Sequence, residues 1–262
     1  MKLQVLQHLA MGDHVLCNGL VRNLLKSYEE IELFARNTYF EAVCWMYRDE
    51  PRISVSKVLD ANVARSQFDE GVQQLVVGFE NLVMDGCHFD EALYRSASID
   101  FSHRWDSFYY ERDLVREQKL YDHYGVGENE YIIVHEDKVR NFIIDRTTLR
   151  NDKKIISVLP MRDQNGGYYS IFDYLMLLEN ASEIHCIDSA FRCLIESMEV
   201  FLTKKLYFHP YARDNTEEYN ISERMNWIRI EPSQGYYEYW KCMKIRSGLL
   251  LFWEKVRRNL KN

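Results

Sequence analysis

The sequence lacks most of the signatures that would name a chemistry outright. It has no G-x-G-x-x-G fingerprint, no G-x-x-x-x-G-K-[ST] loop, no H-E-x-x-H and no G-x-S-x-G. The first absence argues against a glycine-fingerprint nucleotide enzyme such as an epimerase or a methyltransferase, and the second against ATP hydrolysis. The six cysteines, Cys17, Cys44, Cys87, Cys186, Cys193 and Cys242, include no C-x-x-C pair. Zinc spacing is therefore missing, and no metal site is expected. Several of these cysteines lie in apolar runs, as in a reduced, cytoplasmic protein rather than a disulfide scaffold. No apolar run approaches the roughly 18 residues needed to span a bilayer. Lys2 leads straight into strand-like sequence carrying Gln and His, so no secretory leader is expected. There is no excess of positive charge: the net charge is −7, without the basic footprint of a nucleic-acid binder. Only "EKVRRNLKN" at the end is locally basic. It reads as a solvated helix end or as a peripheral membrane contact. Repeats and low-complexity tracts are absent too.

What is present is a chain long enough for one large or two small domains, with 47% hydrophobic residues to fill a core in 262 positions. Eighteen tyrosines raise the aromatic share to 14%. They suit sugar or base stacking and equally suit ordinary packing. Strand patterns at 3–9, 31–35, 52–58 and 74–79 alternate with helical patterns at 14–27, 38–47 and 61–71, which implies parallel βαβ units. A charged, aromatic, helical stretch over 89–124 breaks the rhythm. "GVGEN" (125–129) has two glycines of a dinucleotide pattern, but it precedes a strand and reads as a linker. A second unit follows, with strands at 131–135, 141–145, 154–159, 183–188 and 205–209 and helices at 170–181 and 189–202. A long helix is expected over 234–260. The expected architecture is α/β: two Rossmann-like domains, 1–124 and 125–262, facing each other across a cleft, the second with a C-terminal helix.

Ligands of such sheets sit beyond the carboxyl ends of the strands, so polar residues that follow strands are the candidates. Gly12, Asp13 and His14 follow the first strand. Asp13 reads as a helix cap or as a general base for an attacking hydroxyl, with His14 assisting. His135, Lys138 and Arg140, with Asp137, follow the strand at 131–135. They form a solvated turn or a diphosphate site in which Arg140 supplies a two-pronged contact and Lys138 a point charge. Asp188 and Ser189 open a helix after the fourth strand. The serine caps that helix, or its free N–H groups receive a phosphate. His209 and Arg213 follow the fifth strand and are weaker candidates for the same site. The aromatic run "RWDSFYYER" (104–112) reads as core or as the lining of an acceptor groove.

"HLAMGDHVLCNGLVR" (8–22) resembles the first strand-loop-helix of the ADP-heptose:lipopolysaccharide heptosyltransferase family, in which a Gly-Asp pair at this turn supplies the catalytic base. "YIIVHEDKVRNFIID", "IHCIDSAFRCLIESM" and "KLYFHPYAR" resemble the nucleotide-sugar half of heptosyltransferase-like and fucosyltransferase-like proteins. Fucosyltransferases carry His-x-Arg after this strand; here the arginine stands later, at Arg140. The resemblance implies a compact GT-B glycosyltransferase, similar to glycan-building enzymes of bacteria and large DNA viruses. It implies Asp13 as base, an inverting transfer from a nucleoside-diphosphate sugar to a glycan hydroxyl, and no cofactor or metal. The alternatives are a non-catalytic nucleotide- or glycan-binding module and another nucleotide-dependent α/β enzyme.

Overall fold

Residues 1–149, 152–164, 166–213 and 220–238 are described in the computed structural model. The first sheet forms from β1 (Lys2–Leu6), β2 (Glu30–Arg36), β3 (Ile53–Val58) and β4 (Gln73–Val76), in the order β3-β2-β1-β4 and parallel throughout. Helices cover such sheets on both faces, so the central strand β1 is buried from Leu3 to Leu6. Its one buried polar residue, Gln4, is satisfied: its amide donates to Glu32 at 3.0 Å and its oxygen accepts the Asp69 N–H at 2.7 Å.

The helix expected over 14–27 is two helices, α1 (Met11–Leu16) and α2 (Asn18–Leu24), and it starts earlier than expected. Ala10 is the N-cap, and Asp13 lies in the first turn, where its carboxylate accepts the Ala10 N–H at 3.3 Å. The helices α3 (Phe40–Met46) and α4 (Ala61–Ser66) complete this layer. In α4 the Asp60 side chain caps the first turn. The stretch after β4 is helical, as read: α5 (Phe89–Ser96), α6 (His103–Asp106) and α7 (Leu114–Tyr124).

The second sheet contains β5 (Tyr131–His135), β6 (Lys154–Ser157), β7 (Glu183–Cys186), β8 (Lys205–Phe208) and β9 (Trp227–Arg229), in the parallel order β6-β5-β7-β8-β9. The strand expected at 141–145 does not form. Phe142 makes a single antiparallel bridge to Asp137, and the Ile144 N–H donates to the buried Glu136 carboxylate at 3.1 Å. A side chain has taken over the backbone pairing that a ladder would supply. The strand β9 was not expected. The helices α8 (Leu175–Asn180) and α9 (Ala190–Ser197) pack on this sheet, each extended by a short 3-10 turn. Residues 234–238 begin a helix as expected; the rest of the expected tail helix, with Trp240, Trp253 and the basic end, lies outside the described residues.

One continuous apolar core joins the two sheets, running from Leu3, Val15 and Leu20 to Phe172, Leu194 and Ile195. The helix α7 packs on α8 and on the turn before it, although it precedes the 125–129 link. The segment between β8 and β9 reaches back, with Ser222 donating to Asp90 of α5 at 2.9 Å. The two helices that meet head-on across the halves are α1 and α9. Gly12 lies at that approach: a Cβ there would stand 3.2 Å from Cys193 Sγ, so the thiol would have to give by a few tenths of an ångström, and 3.6 Å from Ala190 Cα, an ordinary contact. Among the described residues, no helix is long and apolar enough to cross a membrane, and the five described cysteines are free thiols.

Candidate active site

Beyond the carboxyl ends of both sheets lies a cavity of about 1310 Å³, lined by both halves. The first half contributes the β1–α1 loop. There Asp13 faces the cavity, half-buried. Burial raises its carboxyl from 3.8 to about 6, against the lowering effects of the Ala10 N–H and the Arg213 guanidinium. A carboxylate held near neutrality is a competent proton acceptor at physiological pH.

The second half contributes three strand ends. After β7, Asp188 and Ser189 lead into α9, and Ser189 makes no side-chain cap. The first N–H groups of α9 therefore lack that partner, and with Ala190 and Phe191 they border the cavity. The Asp188 carboxylate is fixed by two arginines at 3.2 Å each, Arg192 from within the core and Arg213 from the cavity side. Arg213 also donates to the Asp188 carbonyl at 2.9 Å. After β5, His135 borders the cavity with its ring 4.3 Å from Phe191. Burial lowers its imidazole to about 4, so it is neutral, and its Nδ1 has no hydrogen-bond partner. Arg140, further along, lines the cavity while its Nε donates to Asp137 at 2.6 Å.

Seven of the ten candidate residues thus meet in one space: Gly12, Asp13, His135, Arg140, Asp188, Ser189 and Arg213. Three lie elsewhere. His14 is fully buried on the core side of α1, bonded to Gln7 at 2.6 Å, and burial lowers it to about 3. His209 is fully buried between His185 (3.0 Å) and the Tyr211 hydroxyl (2.9 Å). Lys138 is solvated, 3.6 Å from Glu136, and is not among the lining residues.

The opposite end of the cavity was not foreseen. Arg116 of α7 pairs with Asp163 at 2.6 Å and with Asp173 at 3.0 Å, and its guanidinium lies 4.7 Å over Tyr169. Tyr39, Trp45 and Tyr168 add aromatic faces around it. Asp173 stands three residues after Ser170, the spacing of a helix-start box, so its position was readable as a cap; that it also faces a cavity was not. Of the "RWDSFYYER" run, no residue lines this cavity; Trp105 and Phe108 to Tyr110 border a separate cavity of about 590 Å³. Among the described residues no three His, Cys, Asp or Glu side chains gather as a metal site would require.

No protein family and no curated protein matches the sequence. Solved structures do share the fold. A glycosyl transferase family 9 protein from Veillonella parvula superposes with a TM-score of 0.53 at 12% identity, over 93% of this chain and 89% of that one. The iron-containing dodecameric glycosyltransferase TibC from enterotoxigenic E. coli gives 0.52 at 8% identity, over 88% of this chain and 62% of that one. The fold, two parallel α/β sheets facing a common cleft, is that of GT-B glycosyltransferases.

Proposed function

We propose that the protein transfers a sugar from a nucleoside-diphosphate sugar to a hydroxyl of a glycan acceptor. The observation that carries this reading is the pairing, across one cavity, of the Asp13 carboxyl raised to about 6 with the uncapped start of α9. Asp13 takes the proton of the acceptor hydroxyl as that oxygen attacks the anomeric carbon. The bond from that carbon to the diphosphate breaks, and the electron pair leaves with the diphosphate. Negative charge then grows beside the α9 N–H groups, Arg213 and Arg140, and stabilising charge where it develops is usually the largest catalytic contribution. Direct displacement with one base inverts the anomeric centre. Neutral His135 is suited to hydrogen-bond a phosphate oxygen. The aromatic end around Tyr169 and Trp45 leaves room for the remaining parts of the two substrates. The shared fold adds support by analogy.

The experiment is turnover of a panel of UDP-, GDP- and ADP-sugars, with a CMP-sugar as the monophosphate control, read as release of the nucleotide. A protein that binds a nucleotide but leaves every donor intact in the presence of glycan acceptors would be a binding module, and the proposal would fall.

Protein groups alone carry the diphosphate charge in this reading, which sets a second expected result. Calorimetry should give the same nucleoside-diphosphate affinity with and without EDTA. Loss of binding in EDTA would put a metal in the site. In the same titration, Arg140→Ala should weaken binding more than Arg140→Lys, because lysine keeps the charge and loses only the two-pronged geometry. Equal affinities for both variants and the parent would place Arg140 outside the site.

A further inference from the structure

The loop between β1 and α1 carries one cavity residue that the scheme above leaves unused. His8 stands two residues before Ala10, whose N–H holds the Asp13 carboxylate, and it borders the same cavity as Asp13. Its ring is fixed from one side. Nε2 accepts the Phe79 N–H at 2.9 Å, and the ring lies 4.5 Å from that of Phe79 and 5.6 Å from that of Phe89. The backbone is bent to make this contact. Gly78 and Phe79 both have positive φ, 82° and 51°, and the second is a conformation that a phenylalanine rarely adopts. A Cβ on Gly78 would come within 2.7 Å of both Cδ2 and Nε2 of His8.

Two consequences follow from ring chemistry. A nitrogen that accepts a hydrogen bond carries no proton, so the neutral ring keeps its proton on Nδ1. In a five-membered ring Nδ1 is the vertex opposite the Cδ2–Nε2 edge, so it faces away from Gly78. No described residue accepts from it. The fold therefore presents a fixed-tautomer N–H on the loop that leads to the proposed base, and holds Phe79 in a rarely adopted conformation to fix it.

We propose that His8 recognises the acceptor: its Nδ1–H donates to an oxygen of the incoming glycan and holds the reacting hydroxyl in line with Asp13. This rests on the glycosyl-transfer reading, and the tests separate the two. Long-range ¹H–¹⁵N spectra of the parent should show a neutral Nδ1–H tautomer for His8. Titration with methyl glycosides of common hexoses and heptoses should shift its Nδ1 resonance to saturation for at least one of them. An Nε2–H tautomer, or a His8 signal that no glycoside moves, overturns the proposal. If His8 responds but no donor is ever turned over, glycan recognition stands and the transferase reading falls.

Substitutions supply a second readout, with the glycoside that shifts His8 as probe. His8→Asn places an amide N–H near the old Nδ1 position but loses the Phe79 contact. His8→Gln reaches the Phe79 N–H but offers no donor near the old Nδ1. The probe's Kd should rise about tenfold in His8→Gln and His8→Ala, the value of one hydrogen bond, and less in His8→Asn. Thermal stability should rank the opposite way, with Gln above Asn. A purely structural histidine gives the stability order in both measurements, which overturns the proposal.

Discussion

The Asp13→Asn protein is expected to bind a nucleoside diphosphate as the parent does and to lose roughly 10²–10⁴-fold in transfer rate, the usual contribution of a general base. The substitution spares the fold. An asparagine oxygen can still accept the Ala10 N–H that the carboxylate accepts at 3.3 Å, so a residue that served only as a cap would leave the rate nearly intact. Product formation by mass spectrometry, once donor and acceptor are in hand, decides between the two. A variant keeping more than roughly a tenth of the parent rate removes Asp13 from the base role. The parent's pH profile gives the same answer independently. Only the ionised carboxylate accepts a proton, so the rate should reach half its maximum at a pH of about 6 and level off at higher pH. Stability runs the other way. The carboxyl is raised from 3.8 to about 6 on folding, so the native state binds the proton more tightly than the unfolded chain. Its contribution to stability is greatest below that window and declines as pH rises through it. At neutral pH the Asp13→Asn protein should therefore melt no lower than the parent, and one that melts well below it would contradict the burial argument.

The second large effect concerns stability alone. Arg104 of α6 is fully buried where the first half meets α9. It donates to the Ser197 hydroxyl at 2.7 Å and to the Cys193 carbonyl at 3.5 Å, and its Nε lies 3.7 Å from Asp90. Arg104→Met fills much of the space but leaves the Asp90 carboxylate buried without a counter-charge. Removing one partner of a buried pair typically costs about 3–5 kcal/mol. For a chain of this length that corresponds to a melting temperature lower by roughly 10 °C. Asp90→Asn in the same background should recover part of the loss, because the amide needs no counter-charge and its oxygen can keep the Ser222 N–H that Asp90 now accepts at 2.9 Å. A melting temperature unchanged in Arg104→Met would mean that water reaches the site.

The elements that could be read from the chain were those whose burial leaves no choice of period. "YIIVH" is apolar and buried up to its final histidine, and it is a strand. "NFIID" carries the same signal over a few residues. What decides it is the Glu136 side chain, buried beside it, which captures the Ile144 N–H. No window of hydrophobicity contains that fact. The rule that ligands gather beyond strand ends picked out Asp13, His135, Asp188 and Ser189, which line the cavity. It failed for His14 and His209 because it locates a position along the chain and not the direction of a side chain. His14 is adjacent to Asp13, yet on a helix neighbouring residues point about 100° apart, and it turns into the core. Arg116 and Asp163 escaped notice because they lie far apart in sequence and meet only through packing of α7 on α8 and the turn before it.

If the two halves rock, the contact between α1 and α9 is their fulcrum. Gly12 rests against Ala190 and Cys193, and the two groups proposed to act together, Asp13 and the start of α9, stand on either side of that point. Rocking of one sheet against the other would move these groups little and the far rim, around residues 41 and 167, a great deal. Spin labels at those two rim positions should show a broad distance distribution that narrows when a nucleoside diphosphate binds; a single narrow distribution in both states would mean that the halves do not rock. Acceptors of very different bulk could then enter at the rim while the spacing between base and leaving group stays the same.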